Sequence, residues 1–338
     1  MSKIIKRARS IGCATTFLSS VLLTAVGASA QTADQHAHDS HAAPHAHAGD
    51  SGYGGAIVVS ELARQQIDAA RAHILANYDT PEKAEAAGWR RPSSSTPTMG
   101  EHWTNPGLRR EPGVDPLNPE ILMFAPINGD LKLVGASWVN AQPATDPLPQ
   151  LFDGLDAIWH RHDASDPLNV AGAEAARATG RGNVTQRASG IVMNHMWFIE
   201  AQDGEFTGHN HFMPFMDANL PLPPLTITGD LRAHAALALA EVNNSAFIIG
   251  TYFDQLSVEA QAEVRELREQ VKALMPKYNS AHEADDTNAM MTILGEMGTH
   301  WMAIRAVHSR ELEPAVANLL NVAYGNMSSG QEHGPGGH

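Results

Sequence analysis

Apolar positions recur in two rhythms along this chain, and the change between them divides it. Ser60 is placed to cap a helix over 61–77. Thr80-Pro81 opens a shorter one that stops at Gly88, with proline in the first turn and glycine just past the end. Further on the apolar residues come in short runs. Ile121-Leu122-Met123-Phe124 and Leu131-Lys132-Leu133-Val134 flank Asn128-Gly129, the strongest short-range signal for a tight hairpin, here over 120–139. A second hairpin is predicted over 191–212 with its turn at Gln202-Asp203-Gly204. Between the two, residues 141–190 are rich in Pro, Asp, Gly and Asn and read as loop, with a helix near 171–178.

From Gly229 the period lengthens to three and four. Helices are predicted over 231–253, 258–275, 287–308 and 312–324. Val264, Leu267, Val271 and Leu274 make one apolar stripe, and Met290, Leu294, Met297, Trp301 and Ile304 make another. Short connections between four such segments predict an antiparallel bundle, joined to the first part by the proline-rich stretch 221–224. The predicted class is α+β: antiparallel hairpins with N-terminal helices, then a helical C-terminal region. The predicted domains are an α+β unit over 56–225, a helical bundle over 226–325 and a Gly/His tail over 326–338.

Ahead of these lie two segments that do not belong to a core. Lys3, Lys6, Arg7 and Arg9 precede an apolar run over 11–26 and then Ala28-Ser29-Ala30, the pattern of a signal peptide over 1–30 cleaved before Gln31. The run is short and broken by Ser and Thr, so no stable membrane insertion is expected after cleavage, and the predicted location is periplasmic or secreted. Residues 31–55 are Ala, His, Asp, Ser and Gly with little to bury, and read as an extended arm.

Charge narrows the function classes. Acidic residues number 37 against 23 basic ones, a net charge of −14, and cleavage would remove four of the basic residues. Such a surface repels nucleic acid and anionic lipid and attracts cations. No phosphate-binding loop or dinucleotide fingerprint occurs, and no nucleic-acid partner is expected. Cys13, the only cysteine, falls within the signal segment, so thiolate ligation and disulfides are excluded for the mature chain.

Histidine supplies the candidate chemistry. The chain has 18, and neutral imidazole is the commonest protein ligand for a transition metal. His36, His38, His41, His45 and His47 crowd the arm and suit metal capture. His160 and His162 form one His-x-His pair, placed in a loop and ranked second. His209 and His211 form another, predicted on a strand, where residues two apart share a face. If the turn is the three-residue loop Gln202–Gly204, His195 sits opposite His211 and three imidazoles share that face. If it is Asp203-Gly204 alone, His195 points the other way. The three-residue loop is favoured, and in geometry alone it gives an arrangement similar to the strand site of the alpha-type carbonic anhydrases. His102 then completes a four-ligand set, and Glu101 or Glu205 orients a ligand from behind. Zinc or copper fits such donors. In the helical region, the pairs Glu296/His300 and His234/Glu241 and the methionines Met290, Met291, Met297 and Met302 read as core or interface residues.

Gly88-Trp89, Met99-Gly100-Glu101-His102-Trp103-Thr104-Asn105-Pro106, the hairpin over 120–139 and His195-Met196-Trp197-Phe198 occur in that order. Over about 80–200 the chain resembles a group of secreted bacterial proteins with an M-G-x-H-W/Y-x-N-P … H-x-W pattern. That resemblance implies export and makes His102 and His195 the shared polar positions, but it implies no activity. Where such proteins continue with a Trp-rich ending, this chain has Glu205 to Phe212 with His209 and His211.

The expectation is an exported zinc- or copper-binding protein with a histidine site in the α+β unit and a capture arm. The alternatives are a secreted metal-dependent enzyme, a zinc hydrolase or copper oxidoreductase, and a partner-binding scaffold with incidental histidines. A protein partner or a second copy of the chain would bind through the helical region.

Overall fold

The computed structural model describes residues 57, 59–92, 94–142, 146–162, 165–180, 190–243 and 250–329. Residues 1–30, read from sequence as a signal peptide, the histidine-rich stretch with His36, His38, His41, His45 and His47, and residues 330–338 lie outside the described residues. The described residues all belong to one compact unit.

That unit is α+β, as the two rhythms require. Helix α1 (Glu61–Tyr78) begins where expected, the Ser60 hydroxyl accepting from the Ala63 amide at 3.0 Å. Ala63, Ile67, Ala70 and Ile74 form its buried face, and α2 (Pro81–Ala86) follows. A four-stranded antiparallel sheet then has the order β1-β2-β3-β7: β1 (Glu101–Thr104), β2 (Ile121–Ile127), β3 (Asp130–Ser137) and β7 (Met196–Trp197). The β2–β3 hairpin turns at Asn128 (φ 53°) and Gly129 (φ 78°), the paired left-handed conformation that gives Asn-Gly its preference. A three-stranded sheet has the order β4-β6-β5: β4 (Val139–Ala141), β6 (Ile191–Met193) and β5 (His160–His162).

The chain passes between the sheets twice. β3 runs into β4 through Trp138, and β6 runs into β7 through Asn194-His195. The two crossings are hydrogen-bonded to each other: the Asn194 amide donates to the Trp138 carbonyl at 3.2 Å, and the Trp138 amide donates to the Asn194 side chain at 3.4 Å. His195 therefore sits at the junction of the sheets.

Alternation along β2 gives the larger sheet two apolar faces. Leu122 and Phe124 pack with Trp103, Ala136 and Met196 under α1. Ile121, Met123 and Ala125 pack with Met193, Trp197 and Met213 on the other side. A bulge between Met123 and Phe124 sets Val134 as an extra residue on β3, which bends the sheet.

The helices are α3 (Pro167–Thr179), α4 (Met213–Asp217), α5 (Gly229–Val242), α6 (Val258–Glu283), α7 (Thr287–Glu311) and α8 (Pro314–Ser329). α7 packs on both α5 and α6, while α3 packs on α8. Three sequence expectations are corrected. The helix predicted over 231–253 ends at Val242, and residues 244–249 of it lie outside the described residues. The helix predicted to stop at Met275 runs through Pro276 to Glu283, because buried Leu274, Tyr278 and Ala281 offset the one amide that proline removes. The loop predicted over 141–190 contains β5 and the end of β4 as well as the expected helix, α3.

Candidate functional site

The predicted hairpin over 191–212 does not form, and the three-histidine strand face goes with it. After β7 the chain turns at Gly204 (φ 93°) and returns as irregular backbone, held by the Trp197 amide on the Glu205 carbonyl (2.7 Å) and the Trp197 indole on the Thr207 carbonyl (2.6 Å). Neither of the two registers weighed from sequence exists. Polar side chains take over the pairing: the Gln202 amide group donates to the His209 carbonyl (2.7 Å) and accepts from the His211 amide (2.9 Å).

His209 and His211, both buried, consequently go separate ways. His209 Nδ1 lies 3.0 Å from the Thr98 hydroxyl. His211 Nε2 donates to the Met327 carbonyl on α8 at 2.9 Å, so it is committed to the helical side. Burial pushes His209 down to about 3, assisted by charge on His211 and His102. Burial likewise pushes His211 down to about 4, with the Met327 carbonyl acting against it. Both are neutral imidazoles in ordinary conditions. Nor do the proposed orienting carboxylates face histidines: Glu101 pairs with Arg91 and the Trp103 indole, and Glu205 pairs with Arg64 and Arg71.

A different set of imidazoles comes together at the junction of the sheets. His102 and His195 have ring centroids 5.8 Å apart, His195 and His160 5.3 Å, and His160 and His162 5.0 Å. The four come from β1, the β6–β7 crossing and β5. His195 and His160 are fully buried, whereas His102 and His162 are half-buried at the two ends of the row. His160 belongs to a strand, not the predicted loop, and faces Met193 across the β5–β6 pair. The pair ranked second from sequence thus supplies one middle and one end member of the cluster.

β1 and β7 are opposite edges of the larger sheet, three strand spacings or roughly 14 Å apart if it were flat. The ring centroids of His102 and His195, the latter just before β7, are nevertheless 5.8 Å apart, so the two side chains reach towards each other. The row beneath them runs His102, Met123, Gly135, Trp197. Gly135 is required there: a Cβ would stand 2.5 Å from the Met123 methyl and 2.7 Å from the Met196 carbonyl oxygen. The β3–β7 register, continued by one residue, puts His195 beside Ser137, whose buried hydroxyl has no hydrogen-bond partner among the described residues.

At the far end Asp166 holds His162 Nδ1 at 2.8 Å with one carboxylate oxygen and caps α3 through the Leu168 amide, also at 2.8 Å, with the other. A carboxylate on Nδ1 makes Nε2 the lone-pair nitrogen and fixes the ring, the usual way of orienting a ligating histidine. Sequence reasoning misses Asp166, although its position four residues after His162 and just before Pro167 is a readable cap signal. Among the described residues, no group of three or more His, Cys, Asp or Glu side chains stands ready-arranged to hold a metal ion.

The helical pairs do not assemble a site. Buried Glu241 takes an ion pair from Arg268 at 2.8 Å and a hydrogen bond from the Tyr252 hydroxyl, and Glu296 is exposed. Met290 and Met297 fill the core. No helix among the described residues is long and apolar enough to cross a membrane. No protein-family model, curated protein or solved structure matches the chain.

Proposed function

We propose that the chain is an exported protein that binds a transition metal ion, zinc or copper, at the His102–His195–His160–His162 row, with the histidine arm as a capture segment. The observation carrying this reading is the convergence of four imidazoles from three separate segments at a buried junction. Two imidazoles bound to one tetrahedral ion, with nitrogens at about 2.0 Å, have ring centroids roughly 5 Å apart. The three observed spacings, each between successive members of the row, lie near that value. Asp166 supports the reading from behind His162, and the burial of His195 and His160 keeps competing water out. The export half rests on the sequence pattern of residues 1–30.

The test is elemental mass spectrometry on the mature chain, purified without an affinity tag and with the five arm histidines replaced by serine. Near-stoichiometric zinc or copper that is lost in His195→Ala and His160→Ala supports the proposal. No bound metal, and none taken up on titration, overturns it.

A further inference from the structure

We infer that the ion this site selects is monovalent copper, with the thioethers of Met123 and Met193 as ligands beside the imidazoles. The inference rests on the metal-binding reading above and goes beyond it in naming the ion and two donors. Met123 lies directly opposite His102 across β1–β2, and Met193 lies directly opposite His160 across β5–β6. Directly opposed residues have Cβ atoms about 5 Å apart, within reach of a shared ion for a side chain as long as methionine. Met123 also extends the right way: its methyl lies over Gly135, on the row that ends at Trp197, whose ring centroid is 6.4 Å from that of His195. Met123 therefore stands between His102 and Gly135 on that row. Met123 and Met193 share one buried cluster with Ile121, Ile191 and Trp197.

Donor chemistry and charge select the ion. Thioether sulfur is a soft ligand that favours Cu(I) and does little for Zn²⁺ or Cu²⁺. The carboxylate at the end of the row, Asp166, is taken up by His162 and the α3 amide, and the apolar side chains clustered with Met123 and Met193 include Ile121, Ala125, Val134 and Ile191. Desolvation cost rises with the square of the charge, so a monocation in such a place costs about a quarter of what a dication does.

The experiment is anaerobic titration of the mature chain, arm histidines replaced by serine, with cuprous ion held by a chromogenic chelator, and in parallel with zinc. X-ray absorption at the copper edge would then be recorded on protein made with selenomethionine, which needs no substitution in the site. The expected result is one Cu(I) with a selenium scatterer, and Met123→Leu/Met193→Leu weakening Cu(I) roughly tenfold or more while zinc binding moves by less than about threefold. A site that binds zinc or copper through nitrogen alone, with no selenium scatterer and no effect of the double substitution, overturns this inference and leaves the metal-binding reading intact. Failure to bind either ion overturns both.

Discussion

His195 and His160 hold their imidazoles 5.3 Å apart, although one lies at the crossing between two sheets and the other on an edge strand of the smaller sheet. His211 lies on the return segment, bonded to the Met327 carbonyl. Substitutions at the two places are therefore expected to separate. His195→Ala and His160→Ala abolish metal uptake, whereas His211→Ala leaves it unchanged. The same His211→Ala change removes the bond to Met327 and is expected to cost about 1–3 kcal/mol of stability, read by urea unfolding with circular dichroism.

Gly135→Ala is expected to destabilise the chain by about 1–3 kcal/mol, because the added methyl meets Met123 and the Met196 carbonyl together. Adding Met123→Ala relieves only the first of these contacts. Thermal unfolding should therefore show Gly135→Ala costing less in the Met123→Ala background than in the parent, the cavity left by Met123 being common to both members of the first pair. Full rescue would mean that the backbone contact yields.

Glu120 sits buried before β2, accepting the Val139 amide at 2.8 Å, and burial raises it to about 7. A carboxyl with a raised native value binds its proton more tightly when folded. It adds stability below its unfolded value of 4.5, and that contribution disappears as the pH climbs through about 7. Glu120→Gln keeps an acceptor for Val139 and cannot ionise. The variant should match the parent near pH 4.5 and exceed it by about 1–3 kcal/mol at pH 8 in paired denaturation curves.

His308 is enclosed by Tyr252, Trp301 and Tyr324, with ring centroids 4.0, 6.5 and 6.2 Å away. Neither ring nitrogen has a hydrogen-bond partner among the described residues, and burial lowers it to about 3. A histidine kept neutral in the fold takes up protons only on unfolding. Its penalty is absent above 6.5 and grows as the pH falls from 6.5 towards 3. His308→Phe leaves no acceptor or donor unpaired and should flatten the loss of melting temperature between pH 7 and pH 4.

Arg268 and Glu241 form a buried ion pair that also takes the Tyr252 hydroxyl. Glu241→Ala strands the guanidinium in the bundle core and is expected to cost about 3–5 kcal/mol. Replacing both residues with apolar ones should cost much less, and a double-mutant cycle measures the difference.

Local signals are legible in the sequence wherever a single segment determines its own conformation. Ser60, Thr80-Pro81, Asn128-Gly129 and the stripe Val264–Val271–Leu274 each fold as read, since a cap, a turn or an amphipathic face is a property of a few neighbouring residues. The hairpin predicted over 191–212 fails because β6 and β7 are only three and two residues long and belong to different sheets. Its apolar run reports burial between layers and not pairing with the segment that follows. Gln202 then makes with its side chain the bonds that a partner strand would have made.

The sequence by itself determined the α+β order, the starts of α1 and α2, the β2–β3 turn and a stock of 18 histidines beside a single cysteine. Those follow from short-range sterics, hydrogen bonding and composition. Tertiary structure alone decided which histidines meet. His160 joins His195 because the chain changes sheets at Asn194-His195, and His102 reaches them because a bulge and a glycine let the sheet curl. His209 and His211 part because irregular backbone carries no two-residue alternation to keep them on one face.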